Sequence, residues 1–169
     1  METAYFSRLY AYTEWANRRM WEAGMPALSE AQFTQPAAPG DSSLLEQCVH
    51  VMGVEYWWPH FLRTGELDFI DDAADYPDRT AVWARWQQVM RTNRAFVEGL
   101  TPADLQRKVR PEFWPEEEQP IFLWEALVQV ANHSTDHRAH IMVELDALGA
   151  PTVEQDFLTF ILEEQLQGR

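Results

Sequence analysis

Apolar positions recur at helical spacing through most of the chain. In residues 2–24, Tyr5, Leu9, Tyr12, Ala16 and Met20 fall three and four apart, and Phe6, Trp15 and Trp21 widen the stripe. That pattern predicts an amphipathic helix, ended by Gly24 and Pro26. Residues 25–41 hold Pro26, Pro36, Pro39 and Gly40 and read as a connection with one short turn around Ser29–Phe33. A run of about 17 residues is long for a hairpin between helices, so it is expected to cross the bundle end or line a site. Ser43-Leu-Leu-Glu46 is a capping-box pattern. From Leu44 to Leu62 the chain is apolar on nearly every side, which predicts a helix buried on most faces, kinked or ended early by Pro59. A polar, acidic loop follows from Arg63 to Arg79.

A third helix is predicted from Thr80 to Gly99, carrying Val82, Trp83, Trp86, Val89, Met90, Phe96 and Val97. Thr101-Pro102 starts one short turn. Residues 106–120 are irregular, with short strands expected at Lys108–Arg110 and Ile121–Leu123. A long helix then runs from Phe122 to Leu148 and stops at Gly149 and Pro151. Thr152-Val-Glu-Gln155 is expected to cap a last short helix ending near Leu166. Four long amphipathic helices predict an all-α chain, a four-helix bundle plus a short C-terminal helix, in one domain over residues 1–169.

The long fourth helix carries three of the five histidines. His133 and His137 are one turn apart, about 40° around the axis and roughly 6 Å along it. They lie in register with Val130 and Ile141, so both should face inward and can address one ion. His140 continues that face but sits about 10.5 Å from His133 along the axis. A straight helix therefore offers one pair, His133/His137 or His137/His140, and another element must supply a further ligand. His50 and His60 are the candidates. His50 lies in the most apolar segment and is preferred on burial alone. The alternative for each histidine is an ordinary hydrogen-bonded core residue.

Composition narrows the classes. An apolar content of 46 %, with eight Trp and nine Phe, is ample for one core and suggests a covered aromatic surface, hence a homodimer. The net charge of −14 argues against nucleic acid and anionic membranes as partners. No stretch is long and apolar enough to span a bilayer. METAYFSRLY lacks a basic segment followed by an apolar run, so no secretory leader is expected. The single cysteine, Cys48, fits a reducing, cytoplasmic compartment and reads as a small core residue.

Three segments carry a resemblance: WANRRMWEA (15–23), LLEQCVHVMGVEYWWPHFL (44–62) and LVQVANHSTDHRAHIMVELDALGAP (127–151). In this order and spacing they resemble the DinB/YfiT-like family of metal-dependent bundle proteins, across essentially the whole chain. The most specific pieces are His50 to Glu55 and the run Asn132-His133-x3-His137-Arg138. The resemblance implies a four-helix bundle with a long crossover, a dimer, and one metal ion held by His50, His133 and His137. It implies activities such as S-transfer from a low-molecular-weight thiol, bacillithiol or mycothiol, or thiol-dependent isomerisation, and a link to stress response. Two positions depart from the family pattern. Asp136 stands where a second histidine is common, and Ala139-His140 where Gly-Gln is common.

The expected activity is therefore a divalent-metal-dependent reaction on a small molecule, in which three histidines and zinc, nickel or manganese activate a thiol or water for S-transfer or hydrolysis. Glu55, Arg138, His140, Trp15, Asn17 and Trp57 are candidates for substrate contact or ligand orientation. Trp58 belongs with them as a possible pocket residue, though aromatics at helical spacing usually fill a core. Glu55 and Arg138, charges on two apolar helices, are expected to pair. The competing expectation is a non-catalytic dimer in which histidines or metal are structural. No Ser/His/Asp order, glycine-rich phosphate loop or cysteine cluster supports another chemistry.

Overall fold

The computed structural model describes residues 2–36, 38, 40–69 and 72–167. Pro39, one of the prolines in the first connection, lies outside the described residues. The helices are α1 (Thr3–Gly24), α2 (Glu30–Thr34), α3 (Leu44–Thr64), α4 (Arg79–Glu98), α5 (Pro102–Leu105), α6 (Leu123–Ala147) and α7 (Phe157–Gln167). Two strands, β1 (Lys108–Val109) and β2 (Ile121–Phe122), pair antiparallel with Lys108 opposite Phe122 and Val109 opposite Ile121.

The long helices form the bundle. α1 packs against α4 and α6, and α3 packs against the same two, so α1 and α3 stand diagonally. The first connection must therefore cross the bundle end. It does so through a 3-10 turn at Met25–Ala27 and the capped helix α2, sinking Leu28 and Phe33 into the core. The Arg79 guanidinium closes this crossing by donating to the carbonyls of Met25 and Leu28 at 2.5 and 2.7 Å. Gly24 is needed for closeness rather than for backbone freedom. A Cβ there would lie 2.6 Å from Leu145 Cδ1 and 3.1 Å from the Pro151 carbonyl oxygen.

Two apolar clusters fill the bundle. One gathers the C-terminal part of α1 (Met20, Trp21), the N-terminal halves of α3 and α4 (Leu44–Met52, Val82–Met90) and the C-terminal part of α6 (Ile141, Leu145). The other gathers Phe6, Tyr10, Trp58, Leu62, Val97, Leu123 and Leu127. α1 and α6 thus run one way, and α3 and α4 the other. Because α3 and α4 are parallel, residues 65–78 must travel back along the bundle. This is the long crossover.

Two boundaries differ from the sequence pattern. α3 does not end at Pro59 but continues to Thr64, where Gly65 takes the left-handed conformation (φ 80°) and its N–H returns to the Phe61 carbonyl. Pro59 has no N–H to give the Glu55 carbonyl four residues back. That carbonyl instead accepts from the buried Asn93 amide of α4 at 2.7 Å, so a tertiary bond replaces the missing helical one. The last helix is capped by Asp156, not by Thr152. The Asp156 carboxylate accepts from the N–H groups of Leu158 and Thr159 at 2.9 and 3.1 Å.

Part of the expected aromatic surplus is exposed, at Tyr5, Phe69, Phe113 and Phe157. All eight tryptophans are at least partly buried within one chain. The exposed apolar surface includes Leu158, Leu162 and Leu166 along the outer face of α7.

Candidate metal centre

His50 leaves α3 toward α6, and His133 and His137 leave successive turns of α6 toward α3. One ligand atom from each lies within 4.8 Å of the other two. His50 Nε2 and His133 Nε2 stand 3.1 Å apart. Two imidazole nitrogens bound at about 2.05 Å to one ion stand about 2.9 Å apart at a right angle and about 3.3 Å apart at the tetrahedral angle. The observed spacing falls between these values. The donor set is three neutral-capable imidazoles with no carboxylate, the pattern of zinc sites that keep a position open. His133 Nδ1, the ring nitrogen other than the one facing His50, is buried and has no hydrogen-bond partner within the protein. The residues fit a divalent ion.

Electrostatics favours the ligand form. Burial holds the His133 imidazole down to about 4, with His137 and His50 adding to the effect and Asp136 opposing it. His137 is also lowered, first by burial and then by His50. His133 therefore remains free of protons well into mild acid.

The burial argument that ranked His50 above His60 runs the wrong way. His50 is exposed and His60 is half-buried. His50 joins the cluster because it faces α6, and His60, ten residues on, stacks beside Tyr56 at 5.5 Å. His133 and His137 are likewise half-buried rather than interior. They sit where the groove between α3 and α6 meets solvent. His140 is exposed, 5.9 Å from His137 between ring centroids, and is not one of the converging three.

Two clefts open on either side of the trio. One, about 470 Å³, has His50, Trp57, Val54, Glu46 and the crossover residues Phe69 and Asp72 in its lining. The other, about 510 Å³, has His137, His140, Asp41 and Glu144 in its lining. Gln47 of α3 donates to Glu144 of α6 and ties the helices together here.

The remaining candidates lie elsewhere. Glu55, 2 % exposed, points to the other side of α3. It accepts from Asn17 Nδ2 at 2.9 and 3.1 Å and from Trp86 Nε1 at 2.7 Å. Arg138, fully buried, donates to Asn17 Oδ1 at 3.0 Å, to Gln155 Oε1 at 2.9 Å and to Thr135 Oγ1 at 3.0 Å. The two charges meet through Asn17 rather than directly. With Ser134 and Asn93 they make a polar layer between the two apolar clusters. Burial raises the Glu55 pKa, against the hydrogen bonds from Asn17, Trp86 and Ser134 and the charge of Arg138. Trp15 donates to Glu163 of α7 at 3.0 Å, on the far side of α1. Trp58 packs in the core beside Phe61 and Trp114. Cys48 is core, and burial pushes its thiol pKa up, so it is no nucleophile. Sequence reasoning missed Phe69 and Asp72. Their only signal was an apolar residue and an acid in a loop, without periodicity to place them.

The family model described as the DinB family matches residues 1–167. No curated protein matches the chain. Solved structures similar to it include YfiT from Bacillus subtilis, described as a probable metal-dependent hydrolase with an unusual four-helix bundle topology. It has TM-score 0.65 and 20 % identity, over 85 % of this chain and 87 % of that one. A DinB-like protein from Bacillus cereus has TM-score 0.61 and 23 % identity, over 88 % and 95 %. The DinB-like YjoA from Bacillus subtilis has TM-score 0.58 and 12 % identity, over 90 % and 94 %. At these identities the likeness establishes the fold alone.

Proposed function

The chain belongs to the DinB family, and from that premise we propose that it is a divalent-metal-dependent enzyme acting on a small molecule. The observation that carries the reading is the convergence of His50, His133 and His137 from two helices at ligand spacing, with clefts on both sides. The description of YfiT as a probable metal-dependent hydrolase supports hydrolysis first. S-transfer from a low-molecular-weight thiol is the second form of the same chemistry. When bound, zinc, nickel or manganese supplies Lewis acidity and lowers the pKa of a water or thiol.

The protein's own part is preparation. Burial disfavours the cations of His133 and His137 and so favours their ligand form. The polar layer fixes the register of α6 against α1 and of α3 against α4, which sets where the three rings meet. Trp57 and His140 each stand on a cleft wall within reach of a substrate held at the trio. Glu55, Asn17 and Arg138 act on the reaction through the helices. Trp15 joins α1 to α7.

A second reading rests on the 3.1 Å His50–His133 contact, which an N–H···N bond between neutral rings also satisfies. The histidines would then staple α3 to α6 in a non-catalytic bundle. Hydrolysis of a panel of esters, amides and lactones, and conjugation of thiols to electrophiles, each by metal-loaded and chelated protein, separates the two. The enzyme reading expects turnover lost on chelation and restored by metal. The staple reading expects none in either state.

A homodimer is also proposed, the exposed leucine stripe of α7 adding to its aromatic motive. A sedimentation mass near that of one chain at micromolar concentration would count against it.

A further inference from the structure

The cleft beside His50 has a wall that the bundle alone does not supply. The crossover that leaves α3 brings Phe69 against Trp57, ring centroids 5.5 Å apart. The excursion between β1 and β2 brings Phe113 to the same place, 5.8 Å from Trp57 and 6.0 Å from Phe69. Phe69 is 56 % exposed and Phe113 54 %. Two large rings from two long connections thus meet a third on α3, yet stay half in solvent. A core cluster would bury them, and neither connection needs them for its own turn. Trp57 and Phe69 line the cleft together with His50.

The charges of the clefts point one way. Glu46 and Asp72 line the first, and Asp41 and Glu144 line the second. At the trio a bound ion's own charge would attract an anion, but away from it a group lodged in either cleft lies beside two carboxylates, on a chain of net charge −14. A cation meets the same carboxylates and, in the first cleft, the faces of aromatic rings, which attract it as well.

We propose that the His50 cleft binds a small organic cation, an ammonium group carried on an apolar body about the size of one ring. The apolar part lies on Trp57 and Phe69 and the ammonium between Glu46 and Asp72. The proposal rests on reading the histidine trio as the reaction centre, and it names the substrate class for that centre.

The test uses 2-phenylethylammonium, 3-phenylpropionate and 2-phenylethanol as probes of nearly one shape and three charge states. Zinc-loaded, 15N-labelled protein is titrated with each at constant ionic strength. The indole N–H resonance of Trp57, assigned through Trp57→Phe, is followed. The ammonium should bind about tenfold or more tightly than the carboxylate, the order expected of one close charge pair near a protein surface. Phe69→Ala, at an exposed ring, should weaken all three probes. Asp72→Asn should weaken the ammonium alone, because its amide oxygen still accepts from the Ala74 N–H, as Asp72 now does at 2.9 Å. Equal or tighter binding of the carboxylate, or a Trp57 signal unmoved by the ammonium, overturns the proposal. Zinc content measured on the same samples keeps the two readings apart. Bound zinc without charge selectivity sinks the cleft assignment alone. Charge selectivity in protein that takes up no zinc supports the cleft and sinks the metal reading.

Discussion

Asn17 is the most heavily used polar residue in the core. Its amide sits between a carboxylate that can only accept and a guanidinium that can only donate, so Nδ2 must face Glu55 and Oδ1 must face Arg138. Asn17→Leu keeps the approximate volume and removes both bonds. Each hydrogen bond to a buried charged group is worth roughly 1.5–3 kcal/mol, so the change should cost about 3–6 kcal/mol, a large share of an ordinary domain's stability. Urea unfolding followed by circular dichroism measures it, with an unchanged m-value as the check that the transition stays two-state. Asn17→Asp adds a sign. Its carboxylate still accepts from Arg138 but lies about 3 Å from that of Glu55, so at neutral pH one of the two must take up a proton. The Asp variant should therefore recover toward wild type between pH 8 and pH 5, and the Leu variant should not recover in the same way. Replacing Asn17, Glu55 and Arg138 together by apolar residues should cost far less than Asn17→Leu alone, because no buried charge is then left unpaired. A loss below about 1 kcal/mol for Asn17→Leu, less than one such bond, would refute the view that this layer is a coupled unit.

Asn93→Ala should destabilise by about 1–3 kcal/mol, since it strands the Glu55 carbonyl. Adding Pro59→Ala should return part of that loss by restoring the helical N–H, a recovery that a double-mutant cycle reads directly. On pH, His133 has a folded pKa of about 4 against an ordinary value of 6.5. Metal-free protein should therefore hold this contribution above about pH 6.5 and lose it as pH falls toward 4. Glu55 has the opposite sign. Its raised pKa gives stability that is full in acid and lost as pH rises through the folded value. Thermal melts of wild type, His133→Ala and Glu55→Gln across pH 4–8 should separate the two slopes. Chelation should lower the melting temperature of metal-loaded protein while leaving helical circular dichroism at room temperature nearly intact, because both apolar clusters close without the ion.

Periodicity made the four long helices legible, and the two short strands fall where they were expected, on either side of a proline-rich run. Of the two effects expected of Pro59, a kink or an early end, the early end does not occur; Pro59 was weighed by its local cost alone. Asn93, thirty-four positions later, offsets that cost, and no local signal links the two. Gly65 was the available clue to the true end. The histidine trio was legible in part. The i, i+4 pair follows from helix geometry, but the choice of His50 rested on a burial argument that the structure reverses. What brings His50 in is the packing of α3 against α6, a tertiary fact. The Glu55–Arg138 pairing failed for a similar reason. Two charges on apolar helices do imply partners, but the sequence does not say that Asn17 will stand between them. Phe69 is a functional candidate only because of the crossover, whose path depends on α3 and α4 being parallel, and Phe113 only because the β1–β2 excursion meets it at Trp57.

The central claim is that His50, His133 and His137 hold one divalent ion. Metal content per chain, measured on untagged protein loaded with zinc, nickel or manganese and dialysed, tests it without reference to activity. The wild type should retain about one ion, and His50→Ala, His133→Ala and His137→Ala should each lose most of it, while His140→Ala and His60→Ala keep it. Wild-type protein that retains no ion, or a His50→Ala variant that stays fully loaded while His140→Ala empties, would contradict the account.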